Sequence, residues 1–372
     1  MHRAAPLIVG AGPAGCAAAI ALAAGGVRPL LVDRNAEPRD ALCGGFLSWR
    51  TAERLRAIGV DPRGLGARPV ERLALYAHDR EEVVPLPAPA FALSRRTLDG
   101  ALRRRALELG ASLEVDSVRS LDGLTVVGRR REWSADALFL ASGKHDVRGA
   151  SRPRPGTDPA LGLRIRLPAA PQRETLIRGR IELHLFAGGY AGVVLQEDGS
   201  ANVCLAVRKS RLAASGSDPR RLLEILADRH PAFGRRLADD WSAQRIEIVG
   251  AVPYGWIAHA SRPGLFRLGD QAAVIPSLAG EGIAIALASG GAAAQAWFAH
   301  GPEGAVHYQQ AIAGRACRPV RTARAAWALA ESPLAARLGI SVAARLPTLV
   351  RWLMQASRFE PDARLAQARP SP

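Results

Sequence analysis

Asp270 stands at the end of an apolar run, Leu265 to Gly269, and the chain then loops past Pro276 to Gly280-Glu281-Gly282 and an alanine-rich stretch opening at Ile283. A carboxylate so placed accepts hydrogen bonds from the hydroxyls of a polyol. The Gly-Glu-Gly turn ahead of a helix aims backbone N–H groups at an electron-rich oxygen. The other end of the sequence carries a second turn, in PLIVGAGPAGCAAAIALAAGGVRPLLVDR. Gly10, Gly12 and Gly15 have the spacing of a pyrophosphate-binding turn between a strand and a helix that opens at Pro13-Ala14, and Asp33-Arg34 close the next strand. Gly10 makes the tight turn, Gly12 lets the backbone approach phosphate, Gly15 lets helix and strand pack, and Asp33 can bond ribose hydroxyls. One turn for a pyrophosphate and a distant aspartate for a polyol together describe a split site for FAD.

Composition bounds the partners. A chain of 372 residues is long enough for about two domains. Its net charge of +16 rests almost wholly on arginine, Lys144 and Lys209 being its lysines. The arginines are scattered, so the sequence predicts a basic solvated surface and no nucleic acid, with an anionic membrane as the next candidate partner. Cys16, Cys43, Cys204 and Cys317 form no C-x-x-C pair, which predicts neither a metal site nor a disulfide framework. No signal segment precedes the first strand, and no uninterrupted apolar run of bilayer length is read. A cytoplasmic protein is expected.

The positioning elements follow. The pattern predicts an α/β fold: a Rossmann-like FAD domain assembled from 1–70, 94–150 and 251–300, an inserted antiparallel-sheet domain from 71–93 and 151–250, and a helical region over 301–372. Helices are expected over 47–58, 95–109 and 218–239. RLALYA, EEVVPLP and AFALS read as strands of a hairpin-rich excursion interrupted by Pro85, Pro87 and Pro89. Strands within 111–141 complete the first α/β layer, and LGLRIRL, RIELHLF, YAGVVLQ and NVCLAV make an antiparallel sheet.

Together these motifs resemble the para-hydroxybenzoate-hydroxylase-like flavoprotein superfamily, geranylgeranyl reductase-related branch, over most of 5–300. The Gly269-Asp270 segment with Pro276 is similar to the superfamily's ribitol-contacting motif. Arg95, four residues before Asp99, matches an arginine that reaches the FAD phosphates. Cys43-Gly44-Gly45, running on through Phe46 to Ser48, looks like an element beside the flavin. The segment from Gly188 resembles the sheet that faces substrate in reductases and flavin-dependent halogenases, with Gly192 where relatives often carry an aromatic. Hydroxylases carry an Asp-Gly pair where this chain has Ser142-Gly143, which weakens direct use of NAD(P)H and leaves NAD(P)H or a reductase protein as the external electron donor. Neither the lysine nor the W-x-W-x-I-P motif of halogenases is found.

Cys43 reads as a general acid beside the flavin or as a small buried hydrophobe. His145 and Asp146 form an acid/base pair or an ordinary loop. Glu281 lies near the flavin or pairs with an arginine. Phe46, Tyr190, Tyr254 and Trp256 are candidates for an apolar substrate pocket, while His184 and His230 are incidental. The basic amphipathic stretch after Ala335 either lies on a membrane or covers the substrate domain. The expected activity is FAD-dependent oxidation–reduction of a small apolar molecule, whether polyketide-like, aromatic or isoprenoid. Oxygenation is slightly favoured over reduction of a double bond, and a non-redox cyclase or binding protein on the same fold is the rival class.

Overall fold

Five short parallel strands carry both glycine turns. In a computed structural model of the chain, describing residues 5–153, 156–238 and 240–359, they lie in the order Leu265–Arg267, Leu138–Leu140, Leu7–Val9, Leu30–Asp33 and Ser112–Val115. In register, Leu7 faces Leu30 on one side and Leu138 on the other, and Leu138 faces Leu265. The carboxyl ends of these strands therefore share one edge, where Gly10, Asp33, Ala141 and Gly269 meet. Parallel α/β sheets bind ligands at this edge, at the point where the strand order reverses.

Both faces of this sheet are covered, so its strands are apolar throughout. Ile8, Leu31, Phe139 and Phe266 meet the helices Pro13–Ala24 and Gly282–His300. Leu7, Val9, Val32, Leu138 and Leu140 turn the other way, under Leu121 and Val126. Those two residues belong to a separate three-stranded sheet, Ser120–Asp122, Thr125–Val127 and Glu132–Ser134, where the sequence predicted continuation of the first layer. The Asp116 carboxylate causes the departure: it accepts N–H bonds from Ser117, Arg129 and Arg130 at 2.7, 3.1 and 2.9 Å and turns the chain out of the first sheet.

The alanine bias has a packing cause. The two helices under the sheet touch closely enough that a Cβ on Gly290 would lie 2.4 Å from the Ala14 carbonyl oxygen. The Gly282–His300 helix is a nineteen-residue stretch without Asp, Glu, Lys or Arg, so the expectation of no bilayer-length apolar run fails on length. The apolar window found within Gly282–Glu331 is 56% buried, and its apolarity is explained by a core facing it on several sides.

The second sheet has eight strands, in the order Ile246–Val252, Ala160–Leu167, Ala201–Arg208, Gly189–Leu195, Arg180–Phe186, Arg68–Ala77, Arg80–Ala92 and Phe46–Leu47. All pairs are antiparallel except Arg180–Phe186 with Arg68–Ala77, which run parallel. Pro85, Pro87 and Pro89 sit inside one continuous strand, against expectation. Spaced two apart, their missing N–H groups fall on a single edge, which a strand near the margin of a sheet tolerates. One face of the sheet packs on Leu222, Leu226, Phe233 and Leu237; the other faces the cavity described below.

Pro231 splits the helix expected over 218–239 into Pro219–Arg229 and Pro231–Leu237. His230, at the break, is lowered from its ordinary 6.5 to about 4 by burial and by the neighbouring His184, His78, Arg211 and Arg229. Neutral when folded, it must take up a proton on unfolding in mild acid. Its contribution to stability is thus complete above about pH 6.5 and is lost as pH falls through about 4. Melting temperature should fall across that window, and His230→Gln should flatten that part of the profile.

Candidate flavin site

The N-terminal turn is built from backbone. Gly10 has φ +103, and a Cβ there would lie 2.4 Å from the Ala141 carbonyl oxygen, so the turn requires glycine. Asp33 fixes the turn from the next strand: its Oδ2 accepts the Ala11 N–H at 2.8 Å and its Oδ1 the Asn35 N–H at 2.9 Å. Arg103, invisible to motif reading, lies 3.7 Å from Asp33 and donates to the carbonyls of Asn35 and Ala36 at 2.9 and 2.7 Å. Arg95 projects over the turn, 3.6 Å from where a Gly12 Cβ would be. Its guanidinium is held in a fork by both Asp99 oxygens at 2.8 Å. Burial raises Asp99 above the usual carboxylate range, against the pull of Arg95.

Across the cavity lies the Cys43-Gly44-Gly45 loop, pinned by side chains that the sequence reading missed. Lys144 Nζ donates to the Leu42 carbonyl at 2.9 Å, Arg164 donates to the carbonyls of Ala41 and Asp40 at 3.0 and 2.7 Å, and Asn202 and the Cys204 thiol both donate to the Cys43 carbonyl at 2.9 Å. Asp40 links three elements. Its carboxylate accepts the Arg95 N–H at 3.0 Å and pairs with Arg164 and Arg166 at 2.9 and 2.8 Å. Two arginines alternating in LGLRIRL were the available signal; nothing local marked Asp40. Lys144 is buried, which alone would lower it. The acidic groups around it, Tyr254 and Asp270 first, outweigh that, and Lys144 is raised. The Cys43 thiol is half-buried on the cavity wall, while burial pushes the Cys204 thiol up to about 12.

At the far end, Asp270 and Gly269 line the cavity. The main chain there is fixed by Gly269 N–H on Ser289 Oγ at 2.8 Å and by Arg152 on the Asp270 carbonyl at 2.9 Å. Among the described residues no hydrogen bond is made to the Asp270 carboxylate, which faces the cavity. Gly280, at φ +66, allows close contact with the Phe46 ring, 2.8 Å from where its Cβ would be. Gly282 and Ile283 follow on the cavity wall as the open N-terminus of their helix. Glu281 takes the second of its expected roles: fully buried, it pairs with Arg358 and accepts the Phe359 N–H at 3.1 Å. It thereby ties the C-terminal segment beneath this turn.

Gly10, Gly12, Asp33, Arg95, the Cys43–Gly45 loop, Lys144, Asp270 and Gly280 open on one cavity of about 1040 Å³, at the top of the range for ligand pockets (~300–1,000 Å³). Pro13, Ala14, Arg34, Ser142 and Gly143 line it with the residues above. It continues away from the turns between the second sheet, at Leu73, Leu183 and Gly192, and the last helices, at Ala326, Ile340 and Met354. Tyr190 and Tyr254 line it too, their hydroxyls both bonded to Ser277 Oγ, at 2.7 and 2.9 Å. Burial raises both phenols, which keeps them protonated. Ser277 carried no sequence signal.

Several expectations need correction. Trp256 is not in this cavity; it lies against Arg152, 5.9 Å away. Gly15 and Pro276 lie behind the wall, Gly15 because a Cβ there would sit 1.9 Å from the Gly10 carbonyl oxygen, so its task is packing. Of the two readings of His145 and Asp146, the ordinary loop is found. His145 Nε2 is 3.1 Å from Arg34, and Asp146 bridges Arg152 at 2.7 Å.

Residues 3–115 match the protein family described as the FAD binding domain. With the fold and the split site, this match defines the class, an FAD-dependent oxidoreductase. Among curated proteins it is similar to digeranylgeranylglycerophospholipid reductase 2 of Methanopyrus kandleri, at 27% identity over 76% of this chain and 74% of that one. It is also similar to menaquinone reductase of Mycolicibacterium smegmatis, at 28% identity over 79% of this chain and 76% of the relative. Its fold is shared with pqsL, a probable FAD-dependent monooxygenase from Pseudomonas aeruginosa, with TM-score 0.70 and 17% identity over 91% of this chain and 99% of that one.

Proposed function

We propose that this protein reduces carbon–carbon double bonds in a long apolar substrate of isoprenoid type. The observation that carries the reading is the cavity, which runs on from the flavin turns as an apolar channel between sheet and C-terminal helices. The names of the two relatives, both reductases and one acting on a digeranylgeranyl lipid, support it.

The residues present fit FAD. The Gly10–Gly15 turn and Arg95 would hold the pyrophosphate, Asp33 a ribose, Asp270 the ribitol, and the N–H groups of Gly282 and Ile283 the ring's polar edge. Bound and reduced, FAD supplies a hydride. The protein's own task is to exclude water, align the chain and supply a proton. The apolar walls do the first two, with Gly192 leaving room on the sheet. For the third we assign the hydroxyl chain Tyr254–Ser277–Tyr190: a tyrosine Oη gives its proton to the second carbon of the double bond, Ser277 Oγ hands it a proton while taking one from the other tyrosine, and that tyrosine recovers its proton from solvent.

Anaerobic turnover tests the reading. The chemically reduced holoprotein, given a polyprenyl lipid without oxygen, should yield product with two hydrogens added per double bond, seen by mass spectrometry. A product that forms only with oxygen and carries an added oxygen atom would replace this reading with oxygenation.

A further inference from the structure

The last helices present their larger apolar side chains outward. The helix Pro333–Arg345 buries Ala336, Ile340 and Ala343, while Leu334, Leu338, Val342 and the following Leu346 form an exposed row spaced four apart. Leu349, Trp352 and Leu353 extend that surface along Pro347–Ala356, and Leu329 precedes it. Eight of the twelve exposed large hydrophobic side chains of the described residues fall between 329 and 353, a concentration that calls for an occupant.

Charge identifies the occupant. Residues 332–359 contain Arg337, Arg345, Arg351 and Arg358 and no Asp or Glu. Arg358 is buried against Glu281 and Arg337 reaches Asp79 at 3.5 Å, whereas Arg345 and Arg351 are exposed beside the apolar row. A second copy docking through the same face would set these arginines against their own symmetry mates. A fluid anionic surface meets apolar row and arginines together. We infer that this face docks on an anionic lipid bilayer, with Leu334, Leu338, Val342 and Leu346 in the acyl boundary and Arg345 and Arg351 at the headgroups. The same helices bound the cavity on their inner side, through Ile340, Ala343 and Val350, and Trp352 and Leu353 are both exposed and on the cavity wall. The docked face thus offers an apolar path from bilayer to cavity. The inference goes beyond the reaction proposed above and does not depend on it.

Flotation of the FAD-loaded full chain with vesicles tests it without any turnover. Binding is expected to phosphatidylcholine vesicles containing phosphatidylglycerol, to weaken with salt, and to be much poorer to phosphatidylcholine alone. The double variant Leu338→Glu, Leu346→Glu should lose binding by roughly tenfold or more, with flavin content and melting temperature reporting that it is folded. Leu107→Glu, at an exposed leucine on the Arg95–Glu108 helix, should bind as the parent chain does. The inference falls if the parent chain fails to float with anionic vesicles, or if the double variant floats equally well. It also falls if the substitutions only convert a dimer to a monomer in size-exclusion chromatography, which would assign the face to a second copy. Failure here leaves double-bond reduction standing, and failure of anaerobic turnover leaves the lipid contact standing.

Discussion

Gly12→Val should yield a folded protein that purifies without its yellow colour. Gly12 has φ −84, which valine can adopt, and the nearest atom to a Cβ there is Arg95 Nη2 at 3.6 Å. The side chain would therefore enter the gap between the turn and Arg95 without pressing on the backbone. That gap is where a pyrophosphate must lie to meet both, so the expected loss is in cofactor affinity, by ~100-fold or more, equivalent to about 2.7 kcal/mol. Titration of apoprotein with FAD, followed by flavin fluorescence quenching, measures it, and circular dichroism reports the fold. Gly10→Ala supplies the contrast. Its Cβ would meet the Ala141 carbonyl oxygen at 2.4 Å, and its φ of +103 is strained for alanine, so stability should fall with affinity. Unchanged FAD affinity in Gly12→Val would remove the phosphate from this turn.

Tyr254→Phe should lower kcat by ~100-fold or more while KM changes little, because a positioned proton donor acts in the transition state and adds little to substrate binding. The substitution keeps the ring against Trp327, 5.2 Å between centroids, and removes only the hydroxyl bonded to Ser277 at 2.9 Å. Burial raises both tyrosines above their ordinary 10. The donor thus stays protonated through neutral pH, and the parent enzyme's rate should be flat there on account of this group. A solvent hydrogen isotope effect on kcat should accompany the parent enzyme and change in the variant. A purely structural hydroxyl would instead alter thermal stability or KM and leave the isotope effect in place. That outcome would move the proton source elsewhere, with Cys43 the next half-buried donor on the wall.

The parts readable from sequence are those whose geometry is local. Gly10, Gly12 and Gly15 fall within one strand–turn–helix, where Gly10 and Gly15 pack too closely for a Cβ, and Asp33 reaches Ala11 N–H because its strand is the immediate neighbour of the first. Gly269-Asp270 likewise follows a strand of the same sheet. Trp256 was misread because it shares a loop with Tyr254 but turns to Arg152, away from the cavity. Asp40, Lys144, Arg164 and Ser277 left little or no local trace, since each acts on residues far along the chain.

The sequence by itself therefore determined the cofactor: the glycine turns and the two aspartates are encoded as short motifs at strand ends, and strand pairing brings those ends to one edge. Only the tertiary structure decided what surrounds it. Which wall closes the cavity, which tyrosines share Ser277, and whether the last helices turn alanine or leucine inward are set by the meeting of distant faces. Hydrophobicity alone would bury Leu334 and Leu338; in the structure Ala336 and Ala343 face inward, where small side chains leave the cavity open, and the leucines stay outside.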